Sequence, residues 1–110
     1  MSHLEQGDII EVDFNPSVGH EPAKRRPAIV VTGYAFNARS SLVGVVPVQT
    51  RDNGYPLHVP VGDAGLHGFA CVEMVRTIDV ERRGYRLLGY ASDKVMRQIM
   101  GIIRGMYDLR

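Results

Sequence analysis

The stretch "KRRPAIVV", Lys24–Val31, decides the fold. Three cations stop at a proline, and a β-branched apolar run begins. Extended to Gly33, "PAIVVTG" is bounded by Pro27 and Gly33 and is too short for a helix of ordinary length. Its branching and continuity predict a buried strand. The residue before proline is held extended, so Arg26 belongs to the strand itself. An arginine anchored on a strand is better preorganised than one on a loop.

Similar strands flank this one. Upstream, "GDIIEVDFNP" alternates Ile10, Val12 and Phe14 with Glu11 and Asp13, a half-buried strand pattern. Downstream, "SLVGVVPVQ" reads as a strand that ends or bulges near Pro47, which cannot donate to a ladder. "LHVPV" predicts an edge strand, "FACVEMVRTID" one long bent strand, and "GYRLLGY" a last short one. The period then changes. In "SDKVMRQIMGIIRGMYDL", Val95, Ile99, Ile102, Ile103 and Met106 recur at helical spacing, with Ser92 as N-cap. Five or six short strands closed by one helix predict a mainly β fold, a small antiparallel barrel or strongly bent sheet.

The 110 residues fit one domain spanning 1–110. Hydrophobic residues make up 45% and charged residues 23%, which argues against disorder. The apolar runs are shorter than the roughly 18 residues that span a membrane, and "MSHLEQGD" carries no apolar signal core. A soluble, cytoplasmic protein is expected. Cys71 is the single cysteine, so no internal disulfide forms. His3, His20, His58 and His67 show no ligand spacing such as HxxxH, so no metal is expected.

The net charge of +1 gives a weak overall field, so any anion site is local. The loop Asn15–Arg25 is expected to deliver Gly19, His20, Glu21, Lys24, Arg25 and Arg26 to one place. Spacing alone leaves two readings of "KRR" open: a gatekeeper beside an adhesive strand, or an anion site. In "TRDNGYPLHV", Tyr55 offers a stacking face to a base or packs against its own turn. In "CVEMVRTID", strand alternation puts Cys71, Glu73 and Val75 on one face. Glu73 then needs a partner such as Arg26.

"QGDIIEVDFNPSVGHEPAKRRPAIVVT", "VPVQTRDNGYPLHV" and "VEMVRTID", followed by a terminal helix, together resemble the MazF/PemK toxins. The resemblance implies an SH3-like barrel, a homodimer, and a separate acidic antitoxin peptide. It also implies a sequence-specific endoribonuclease that cuts single-stranded mRNA without metal or cofactor. In such enzymes the ribose 2′-hydroxyl attacks the adjacent phosphate, leaving 2′,3′-cyclic phosphate and 5′-hydroxyl ends. Carried over by position, Arg26 is the catalytic arginine and Glu73 the acidic residue that acts as base or holds one. His20, Glu21, Lys24, Arg25, Gln49 and Tyr55 are expected to bind RNA, and Arg76 to brace a strand or dimer. The family's Thr or Ser position is held here by Gln49, with Thr50 displaced by one residue. Either a bulge returns Thr50 to the catalytic site or Gln49 supplies the hydrogen bond. Cys71 stands where some members carry an arginine used as general acid. The alternative is a toxin of CcdB type, which shares the barrel and binds DNA gyrase.

Overall fold

The structure, a computed structural model, describes residues 2–15, 24–52 and 54–108. The strands are β1 (Asp8–Asp13), β2 (Arg25–Val30), β3 (Leu42–Gln49), β4 (His58–Val61), β5 (Gly68–Cys71), β6 (Arg76–Asp79) and β7 (Tyr85–Tyr90). The helices are α1 (Tyr34–Arg39), α2 (Val80–Arg83) and α3 (Asp93–Met106). The strands are antiparallel in the order β4-β5-β3-β2-β1-β7, and β6 pairs with β3. The end strands β4 and β7 do not pair, so the barrel is open. A turn at Asp63–Gly65 leans on the gap, where the Ser92 amide donates to Asp63 Oδ2 at 3.0 Å.

The central strands are covered on both faces. Ile9, Ile29, Val46 and Val48 pack with Val95 and Ile99 of α3. Ile10, Val12, Phe14, Val30, Val43 and Val45 pack with Leu4, Ile78 and Val80. The alternation expected of β1 holds, with Ile10, Val12 and Phe14 buried and Glu11 and Asp13 part-exposed, while Ile9, one residue earlier, is buried in the core on the other face. α3 keeps its expected cap, with Ser92 Oγ accepting from the Val95 amide at 3.2 Å.

Pro47 does not end β3. It sits opposite Ala28, and the strand continues to Gln49. On its other side, β3 pairs with β6 through Val45 and with β5 from Val48. The proline falls between these two ladders, where a missing donor costs little. The expected long strand Phe69–Asp79 is also corrected. A 3-10 turn at Val72–Met74 divides it into β5 and β6, each on a different stretch of β3.

α1 was absent from the sequence reading. Its centre is Asn37, fully buried. Asn37 Nδ2 donates to the carbonyls of Leu4 (2.8 Å) and Thr32 (3.1 Å), and its Oδ1 accepts from the Thr32 hydroxyl at 2.6 Å. Among the described residues no helix is long and apolar enough to cross a membrane.

Gly68 sets the spacing of β5 against β3. A Cβ there would stand 2.7 Å from the Gln49 carbonyl oxygen, which is backbone and cannot swing aside. Gly68→Ala is expected to cost about 1–3 kcal/mol of stability by urea denaturation.

Candidate active site

The cation cluster divides at the strand. Consecutive strand residues point to opposite faces. Arg25 Nε donates to Glu11 Oε1 at 3.1 Å, and Arg86 Nη2 approaches the same oxygen at 3.5 Å. These pairs are half exposed and contribute at most about 1 kcal/mol each. Arg26 is half-buried and turned the other way, close enough to Cys71 for its charge to draw the thiol pKa down. The expectation that Lys24, Arg25 and Arg26 converge on one place is corrected by this alternation.

The root of the loop is fastened by side chains. Asn15 Oδ1 accepts from the Lys24 amide at 3.1 Å, and the Phe14 amide donates to the Lys24 carbonyl at 3.0 Å. Lys24 is exposed and takes a left-handed conformation, φ 66°. Arg83 Nη1, from α2, donates to the carbonyls of Asp13 (2.7 Å) and Asn15 (2.8 Å). Gly19, His20 and Glu21 lie outside the described residues.

The chemical centre is His58, the first residue of β4, opposite Cys71 of β5. Its Nε2 bonds Glu73 Oε2 at 2.8 Å and its Nδ1 bonds Asp52 Oδ1 at 3.1 Å. Both partners are carboxylates that only accept, so both bonds need protons on the ring. The side chain is 2% exposed. Burial lowers the His58 pKa, but the bonds and charge of Glu73 and Asp52 outweigh it and hold the value above 6.5. Glu73 therefore has a partner, but it is His58 and not Arg26. Glu73 reaches the site because the 3-10 turn redirects the chain, not through alternation along a strand. Its Oε1 is buried and has no hydrogen-bond partner among the described residues.

The surrounding residues complete the wall. Tyr55 is 51% exposed and meets the His58 ring edge-on, centroids 5.4 Å apart. It fixes the imidazole and keeps an open face. β3 runs in regular register to Gln49, which pairs with Phe69, so no bulge returns Thr50. Thr50 is exposed just beyond the strand end. Gln49 is half-buried, its Nε2 directed at Met74 Sδ at 3.9 Å. Cys71 is 1% exposed. Burial, then the Glu73 charge, push its thiol up to about 11, against the opposing pull of Arg26 and a backbone bond from Gln49. Arg76 on β6 has one guanidinium nitrogen buried without a partner among the described residues. It lines a pocket of about 460 Å³ with Met100, Ile103 and Tyr107.

Nothing in the local sequence marks His58, Asp52 or Arg83 as site residues. Spacing along the chain argues against a metal, yet the fold brings ligand atoms of His58, Cys71 and Glu73 within 4.8 Å of one another. Three separate elements supply them, so no HxxxH-type signal exists. The pairing of β4 with β5 is the fact that would have revealed the cluster.

The His58 pair has a consequence for stability. The native state holds the imidazole proton more tightly than the unfolded chain, whose value lies near 6.5. That stabilisation is complete below the unfolded value and is lost as pH rises through the native one. In EDTA, the melting temperature is expected to fall from about pH 6 to pH 8 in the natural protein and to stay flatter in His58→Gln. Equal slopes in the two proteins would refute the assignment.

The comparisons with known proteins agree with one another. Residues 5–107 match a family model described as PemK-like, MazF-like toxin of type II toxin-antitoxin system. The endoribonuclease toxin ChpB of Escherichia coli (strain K12) is 35% identical over 107 residues, covering 90% of each chain. The endoribonuclease toxin MazF of the same organism is 32% identical over 95 residues, covering 86% of each. In crystal structure, MazF of Deinococcus radiodurans superposes with a TM-score of 0.89 at 28% identity, covering 96% of this chain and 97% of that one. A MazE-MazF structure from the same organism gives 0.83 at 28% identity, covering 96% of each.

Proposed function

The chain belongs to the PemK-like, MazF-like toxin family of type II toxin–antitoxin systems, and from that premise we propose that it is an endoribonuclease that cuts single-stranded mRNA by attack of the 2′-hydroxyl. The observation that carries the reading is the His58–Glu73 imidazole–carboxylate pair beside Cys71, with the Arg26 cation close enough to act on the same thiol.

In-line attack needs an acceptor for the 2′-hydroxyl proton and a cation on the pentavalent phosphate. Glu73 is the acceptor. His58 occupies Oε2 and orients the carboxylate, which leaves Oε1 for the proton. The side chain is 24% exposed, so rotation about its last bond presents either oxygen to the cleft. Arg26 holds the phosphate as a permanent cation with a planar donor fork. Gln49 and the exposed Thr50 follow at the end of β3, where they bond phosphate oxygens. The Tyr55 face stacks a base. Lys24 and Arg25 guide the RNA backbone from the loop root, and His20 and Glu21 are proposed RNA contacts. No step asks for a metal, and the products are a 2′,3′-cyclic phosphate and a 5′-hydroxyl.

Two chains form a homodimer, and a separate acidic antitoxin covers the basic cleft. The MazE-MazF relative supports the second partner. The half-buried Arg76, with a nitrogen unpaired among the described residues, supports a protein contact along β6 and α3. The gyrase-binding alternative draws no support from relatives named as endoribonucleases.

The test is digestion of a long single-stranded RNA by the full chain in EDTA. Discrete cuts with cyclic-phosphate ends are expected. Cleavage that appears only on adding Mg²⁺ would overturn the metal-free mechanism, and RNA left intact under every condition would overturn the nuclease reading.

A further inference from the structure

We propose that His58 Nε2, Cys71 Sγ and the Glu73 carboxylate form a site for a borderline-soft divalent cation of the zinc class, and that the bound ion stops cleavage. The second half rests on the nuclease reading above. The first half stands on geometry alone.

The donor set is the first argument. Imidazole, thiol and carboxylate are the three side chains that zinc prefers, and their ligand atoms lie within 4.8 Å of one another. A tetrahedral ion about 2.0–2.3 Å from each ligand holds the ligand atoms roughly 3.3–3.8 Å apart. The His58–Glu73 contact of 2.8 Å opens slightly, and Cys71 closes on it. The backbones of His58 and Cys71 are already fixed relative to one another by their pairing across β4 and β5, and Glu73 follows Cys71 by two residues in the 3-10 turn.

The second argument lies outside the trio. Metal-bound histidines usually donate their other ring N–H to a carboxylate, which fixes the ring and its tautomer. Here Nδ1 already bonds Asp52 Oδ1 at 3.1 Å, so Nε2 is the nitrogen aimed at the cluster. Tyr55 holds the ring from its edge. Glu73 Oε1, buried without a partner among the described residues, has coordination capacity to spare. With three protein ligands, the fourth position is left to water.

Occupancy and catalysis are exclusive. On binding, the ion takes the place of the proton between Nε2 and Oε2, and the thiol gives up its own. Two protons leave for each ion, and nothing is oxidised or reduced. The Glu73 carboxylate then coordinates the ion and no longer accepts the 2′-hydroxyl proton. The ion is therefore an inhibitor, in keeping with a metal-free reaction.

The full chain, stripped with EDTA and desalted, is titrated with Co²⁺. One equivalent is expected to raise a thiolate-to-cobalt charge-transfer band in the near ultraviolet, and one equivalent of zinc to abolish it. Asp52→Asn weakens binding by about 10–100-fold. Cys71→Ser, with Cys71→Val as a second variant should serine disturb folding, loses the band and keeps its cleavage in EDTA. It also becomes at least tenfold less sensitive to zinc. No band in the natural chain, a band surviving in both Cys71 variants, or equal zinc sensitivity in all three proteins would overturn the proposal. Should the chain leave RNA intact in EDTA, the nuclease reading falls and takes the inhibitory half with it. The cobalt band still decides the site.

Discussion

Arg26→Ala is expected to lower single-turnover RNA cleavage in EDTA by about 10²–10³-fold, the usual cost of removing one group that stabilises the charge of a transition state. The loss belongs in the chemical step. Arg26 is one of several cations near the loop, so RNA binding weakens by much less. Arg26 sits in register opposite Val12 within a strand whose Ala28, Ile29 and Val30 pack the two cores, so the ladder survives the change. Arg26→Lys separates charge from shape. A lysine restores the cation without the planar fork, and only partial recovery is expected. Full recovery would mean that the role is general charge. A variant that cuts at the natural rate would remove Arg26 from the mechanism.

Glu73→Gln is expected to cost about 10²–10⁴-fold in the same assay, the range for losing a positioned base. Glutamine keeps the size, and its amide oxygen still accepts from His58, so the fold is retained. What it removes is the charge. That change has a second readout. Glu73 is the larger of the two carboxylate influences that raise the His58 pKa. In Glu73→Gln the imidazole is expected to titrate lower, measured by its ring proton resonances. Lost cleavage with an unmoved His58 titration would place Glu73 away from the histidine. A moved titration with full cleavage would make Glu73 a brace and not the base.

The strands were legible because β1 and β2 are short β-branched runs bounded by Gly, Pro or Asn and β3 is a third such run between Ser41 and Thr50, and α3 because Val95 and Ile99 fall one turn apart after a serine cap. α1 escaped notice because six residues, "YAFNAR", give barely two turns of periodicity, and its reason for existing is the buried Asn37 network. That network joins Leu4 to Thr32, which spacing along the chain does not report. The break at Val72–Met74 was hidden because "FACVEMVRTID" holds no glycine, proline or asparagine to mark a turn: composition does not show that a segment changes partners. Arg26 was legible through the proline that follows it. Glu73 was named by alternation along one strand and by its position in the family resemblance; the 3-10 turn replaces the first argument with a change of chain direction. His58 begins an unremarkable edge strand. Its importance comes from Asp52, six positions before it, and Glu73, fifteen after it, which meet only once β4 and β5 pair.

The Arg83 clamp also sets an order of events during synthesis. The loop that begins at Asn15 is fastened by a side chain 68 residues further along. His58 waits for Glu73 in the same way. A chain emerging from the ribosome therefore carries its cationic strand long before the groups that aim it. The last part of the device to arrive is α2, with only β7 and α3 still to follow. The cleft therefore takes its aim only after β2, β3, β4 and β5 have all been made.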